Sequence, residues 1–163
     1  MRIQAPERIK LAVATTTLSA NNTTASVVVF TVTGSVLVHG IWGVVSTTIG
    51  ANHTAGHLRL NDQTAVIAIT AAGGITLSGL AVGTLVYKES LTATALQLKD
   101  NAVGAFEEPA SAGQPALSPF VLVKKTAAVT TVDYRYSTTD APTTGAILWR
   151  ALWEPLSADG LLA

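Results

Sequence analysis

The sequence contains no cysteine, which excludes disulfide staples and thiolate metal ligands. Charge is scarce: 12% of the 163 residues are Asp, Glu, Lys or Arg, against roughly a quarter in an ordinary domain. Between Lys10 and Arg59 there is none at all. Ten basic and ten acidic residues cancel, and Lys124 and Lys125 are the only adjacent basic pair. The cationic face that direct nucleic-acid binding requires is therefore missing. No segment carries an apolar stripe at helical period. No run is apolar enough to cross a membrane either. The charge-free residues 26–50 include Thr31, Thr33, Ser35, His39, Ser46, Thr47 and Thr48, where a spanning helix needs about twenty mostly apolar residues. Residues 1–8 mix charge and lack an apolar stretch, so they do not read as a secretion signal.

What fills the chain is Val, Thr, Ala and Gly at period two. Ile9, Leu11 and Val13 alternate with Lys10, Ala12 and Ala14, a strand with one buried face. Residues 18–24 carry turn chemistry. Residues 27–33 form a second strand that places Val28, Phe30 and Val32 on one face. Gly34 and Ser35 make a tight turn into a long strand over residues 36–47. Gly40 and Gly43 interrupt that strand, which is therefore expected to bend between sheets. Residues 52–56 read as a loop, and residues 57–60 and 65–70 as a hairpin. Residues 84–87, 95–98, 120–124, 129–136 and 147–153 complete the set. Roughly eight to ten short strands at this spacing predict one all-β domain over residues 1–163. Its architecture is an antiparallel β-sandwich, jelly-roll-like, with residues 1–8 as an arm. Residues 101–119 hold Pro109, Pro115 and Pro119, and so long a connection is uncommon unless it has a task.

Chemistry is hard to place on this pattern. His53 and His57 could share a helix face and bind a metal, but Gly56 and the following strand make the segment an exposed polar loop without a metal. His39 reads as a hydrogen-bonded core or interface histidine. No serine occupies a Gly-x-Ser-x-Gly elbow. Glu107 and Glu108, adjacent on the loop, do not flank a cleft as a glycosidase pair must. Gly73 and Gly74 are not followed by the lysine of a phosphate loop. No cofactor is implied, and the chain reads as no enzyme. Asp133, Tyr134, Arg135 and Tyr136 alternate charge with aromatic ring. Ile147, Trp149, Ala151 and Trp153 share one strand face, and Leu148, Arg150, Leu152 and Glu154 the other. With Trp42, the tryptophans are either core or a stacking platform for sugar.

The block from Phe30 through Val38, leading to Gly43, Val44, Val45, Ser46 and Thr47, resembles small virion proteins of tailed bacteriophages. So does the closing aromatic strand running into residues 154–160. Within that group the chain is similar to head decoration, or cement, proteins. The resemblance implies a β-domain that trimerises on the outer capsid, clamps the major capsid protein and has no active site. It also implies manufacture in the host cytoplasm and residence on the virion surface. Low charge independently suggests surface hidden against protein. Candidate contacts are Arg2, Ile3, Glu7 and Arg8 in the arm and Glu107 and Glu108 in the loop. The competing reading is a receptor- or glycan-binding module of a tail or fibre, built on Trp42, Trp149 or Trp153.

Overall fold

The computed structural model describes residues 8–19, 23–72, 74–88, 96–99, 119–125, 128–138 and 144–163. Among them are eleven strands: β1 (Lys10–Thr17), β2 (Thr24–Thr33), β3 (Ser35–Thr47), β4 (His53–Asn61), β5 (Val66–Ala68), β6 (Leu85–Tyr87), β7 (Gln97–Lys99), β8 (Phe120–Val123), β9 (Thr130–Thr138), β10 (Ala146–Pro155) and β11 (Leu161–Leu162). The fold is all-β, as the period-two pattern predicts. The first sheet runs β1-β10-β3-β6-β7, with β8 joined to β3 beside β6; the second runs β11-β2-β9-β4-β5. Every pairing is antiparallel, and β1 pairs β10, β2 pairs β9, β3 pairs β8 and β4 pairs β5. These nested pairs wind the chain into a jelly roll, one way for an antiparallel β protein to limit exposed strand edges.

The two sheets close on one core. Phe30, Val32, Leu58, Val132 and Tyr134 from the second meet Val38, Val45, Ile147, Trp149 and Trp153 from the first. Tyr134 and Trp149 touch across the gap, their ring centroids 5.3 Å apart. Burying rings of this size removes some 150–250 Å² each from water, so this contact anchors one sheet to the other.

Four local expectations are corrected. Along β1 the buried face is the small one: Ala12 and Thr16 point inward, while Ile9, Leu11 and Val13 are each more than half exposed. The indoles of β10 are the reason, since Ala14 stands opposite Trp149 and Lys10 opposite Trp153. Rings that large leave room beneath β1 only for methyl and hydroxyl groups. In β2, Val28 faces solvent while Val29, Phe30 and Val32 are buried. A β-bulge between Val28 and Phe30 resets the alternation. Strand β3 does not bend between sheets, because all its partners lie in the first. Its pairing with β10 has two register shifts, one beside Gly40, opposite Leu152, and one between Val45 and Thr47. Residues 53–56 belong to β4 and are no loop. A register shift between Thr54 and His57, with Ala55 at φ 56°, lets the strand continue.

Gly43 is required for close approach, not for turning. A Cβ there would lie 2.6 Å from Ile147 Cγ2 and 2.9 Å from Trp149 Cε3. Gly34 and Gln63, at φ 57° and 72°, carry the tight turns after β2 and β4. In the β4–β5 hairpin Asp62 Oδ1 accepts the amides of Thr64 and Ala65 at 2.9 and 2.6 Å, and its Oδ2 lies 3.1 Å from Lys125 Nζ. The Ala65 and Thr64 amides hold this carboxyl well below the usual carboxylate range.

Candidate functional site

Three arrangements bear on function: the outward face of each sheet and an aromatic cluster between them. On the first sheet, the outward positions of β1, β10, β3 and β8 form rows across the strands. Leu11 stands opposite Leu152, Val13 opposite Arg150, Leu148 opposite Val44, and Leu37 opposite Val121. Ile9, Leu11, Val13, Val121 and Val123 are each 53–55% exposed, and Leu152 is 38% exposed. Half-buried Trp42 lies among them, with Arg150 across one edge of its strand and Tyr87 across the other. Polar relief comes from Arg150 and from His39, whose Nε2 is 3.6 Å from Glu154 Oε1. An antiparallel sheet normally turns a polar face to water. This one turns Val and Leu outward from several strands, with Ile9 exposed just ahead of β1.

On the second sheet the outward positions of β4 and β9 are polar and internally bonded, while Val28 on β2 and Val66 and Ile67 on β5 are exposed apolar residues. Period two along β9 places Thr131, Asp133, Arg135 and Ser137 outward, and β4 contributes His57, Arg59 and Asn61. Register then sets His57 beside Arg135 and Arg59 beside Asp133. The Asp133 carboxylate is almost fully buried. It accepts from Thr131 Oγ1 at 2.6 Å, Asn61 Nδ2 at 3.0 Å and Arg59 Nη2 at 3.4 Å. Arg59 Nη2 also reaches over β9 to donate to Ser26 Oγ at 2.7 Å. Next to this network an open pocket of 410 Å³ is lined by His57, Arg59, Val66, Ala68, Ala72 and Arg135. His57 Nδ1 lies 2.8 Å from the Ala55 carbonyl oxygen. A carbonyl only accepts, so Nδ1 carries the proton and Nε2 the lone pair in the neutral ring.

Between the sheets His53 is fully buried and stacks on Tyr136 at 4.8 Å and Tyr134 at 5.9 Å between ring centroids. The sequence expectation of an exposed histidine loop is thus overturned: the strand carries His53 into the core and sends His57 to the opposite face. Burial pushes the His53 pKa down from 6.5 to about 4. Tyr134 Oη is 3.3 Å from His53 Nε2, and burial raises the pKa of that phenol.

Trp149 and Trp153 lie in the core, 0% and 2% exposed, and Trp42 lies on the apolar outer face. Arg8 is exposed just ahead of β1. Arg2, Ile3, Glu7, Glu107 and Glu108 fall outside the described residues. Sequence reasoning singled out the charge–aromatic alternation of β9 but missed that Arg59 and His57 on β4 share its outward face. The signal was present in the two-residue spacing of His57, Arg59 and Asn61; the bulge before His57 was not. Among the described residues no three His, Asp or Glu side chains cluster to hold a metal, and no helix is long and apolar enough to cross a membrane. No protein-family model matches the chain, and no curated protein or solved structure matches it.

Proposed function

We propose that this protein is a non-enzymatic structural component that works by burying the outward face of its first sheet against further copies of itself. The observation that carries this reading is the apolar row structure of that face, with Leu11, Val13, Val121 and Val123 all more than half exposed. Contiguous exposed apolar surface is a mark of association surfaces. The face bears little charge, so it is compatible with a second copy of itself and needs no oppositely charged partner. Strand β1, paired only with β10 among the described residues, extends this face to the sheet's edge. The resemblance to head decoration proteins supplies the larger setting: a trimer seated on the major capsid protein at the virion surface. The mechanism is binding alone, because a protein that prefers the assembled shell stabilises it by mass action. The jelly roll does not select this role by itself, being common to viral capsid and lectin domains.

The glycan-binding alternative loses two of its three rings, because Trp149 and Trp153 present no face to solvent. Trp42 remains, on the surface assigned to assembly. Sedimentation across micromolar concentrations tests the assembly reading: a stable oligomer is expected, and a well-behaved monomer at all concentrations overturns it. Mixing the oligomer with undecorated capsid shells tests the setting. Saturable decoration supports the capsid role, and no retention on shells rejects it while leaving self-assembly intact.

A further inference from the structure

The pocket on the second sheet has a chemistry that the assembly face does not use. Two guanidinium groups border it, from Arg59 and Arg135, and one carboxylate, Asp133, lies beside them. That carboxylate is committed to Thr131, Asn61 and Arg59. The local balance of fixed charge is one net positive, which suits a monoanion better than a dianion. Among the described residues the Arg135 side chain makes no hydrogen bond or ion pair. Arg59 uses Nη2 for Ser26 and Asp133 and its Nε is buried, which leaves Nη1, without a hydrogen bond among the described residues, as the nitrogen open to a ligand. An arginine fixed through one nitrogen and flanked by a free one is a pre-positioned receptor for a planar oxyanion, since guanidinium donors match the carboxylate geometry.

The remaining walls narrow the ligand further. His57, tied through Nδ1 to Ala55, presents Nε2 as an acceptor, which a ligand hydroxyl can satisfy. Cross-strand pairing places His57 beside Arg135, so one ligand spanning about 5 Å between neighbouring strands reaches both. Val66, Ala68 and Ala72 form an apolar side to the same space. We propose that this pocket binds a small monocarboxylate with a neighbouring hydroxyl: the carboxylate on Arg135 and Arg59, the hydroxyl on His57, and the apolar body against Val66 and Ala68. The site lies on the sheet opposite the assembly face, so it stands or falls independently of the oligomer.

The test titrates 2-hydroxy-4-methylpentanoate into isotope-labelled protein and follows backbone amide resonances at neutral pH. Saturable shifts are expected at His57, Arg59, Ala68 and Arg135. Three controls read out the separate contacts. The carboxamide of the same acid should bind at least tenfold weaker, 4-methylpentanoate several-fold weaker, and inorganic phosphate no better than the hydroxy acid. Arg135→Gln should weaken binding at least tenfold. The Arg135 side chain is half-buried and unbonded, so this variant is expected to keep its fold, as its amide spectrum will report. Val66→Trp, at an exposed position, closes the apolar side and should abolish the shifts. No saturable shift at these residues, equal binding of the carboxamide, or undiminished binding by Arg135→Gln each overturns the proposal.

Discussion

The indole Nε1 of Trp149 donates a 2.9 Å hydrogen bond to Thr16 Oγ1, both groups fully buried, across the β1–β10 pair. This bond explains why β1 turns its small residues inward. A bulky side chain at position 16 would displace the ring, and an apolar one would leave its N–H without a partner. Thr16→Val, nearly isosteric, should therefore cost about 1–3 kcal/mol, the cost of a buried donor left unsatisfied. In the Trp149→Phe background the same change should cost much less. Urea unfolding of the four-member cycle checks this; additive effects would show that the bond contributes nothing.

Stability should fall as the solution is acidified from pH 6.5 to pH 4, the interval between the unfolded and folded pKa values of His53. The folded value is the lower one, so the unfolded chain takes up the proton first. The contribution is complete above 6.5 and lost progressively down to about 4. A depression of this size corresponds to at most ~3 kcal/mol. Asp62, whose pKa is also depressed, adds its loss only below the ordinary carboxylate value. Chemical denaturation of His53→Phe over the same range should give a flatter profile. An identical slope in the variant would assign the pH dependence elsewhere.

Gly43→Ala should destabilise the fold by about 1–3 kcal/mol through overpacking. The added methyl meets Ile147 and the Trp149 ring, both anchored in the core. Thermal melts followed by tryptophan emission would report the loss and a change in the Trp149 environment together. An unchanged midpoint would mean that β3 and β10 separate freely.

Breaking the buried pair on the second sheet should cost more than removing it. Asp133→Ala strands the Arg59 guanidinium and is expected to cost about 3–5 kcal/mol. Asp133→Leu combined with Arg59→Met, which leaves no charge behind, should recover most of that stability. Equal losses in the two variants would show that the cost lies in packing alone.

Leu11→Glu with Val13→Glu places charge on the outward face of β1 without touching the core. Sedimentation should show the oligomer dissociating, while the monomer's unfolding free energy changes by about 0.5 kcal/mol or less. An intact oligomer in this variant would move the interface away from β1.

The all-β class was legible from residue type and period, because Val, Thr and Ile at alternate positions suit a pleated surface and no helical stripe competes. The positions of β1, β2, β3 and β5 through β10 followed to within a few residues, and so did the inward face of β10 with Trp149 and Trp153; β4 begins four residues ahead of the expected strand, and β11 was not foreseen. Facing is where local pattern failed. Alternation shows that β1 has two faces, but only the rings of β10, more than a hundred residues away in the chain, decide that Ala12 goes in and Leu11 out. The bulges at Val29 and before His57 each reverse the faces beyond them, and a bulge costs one residue that period counting cannot detect. The cationic pocket depends on the same accident of register. The sequence by itself determined a charge-poor β protein with apolar residues to spare. The pairing of β4 with β9 decided that His53 became core and that His57, Arg59 and Arg135 became neighbours, because side-chain proximity in a sheet is set by hydrogen-bond register across strands.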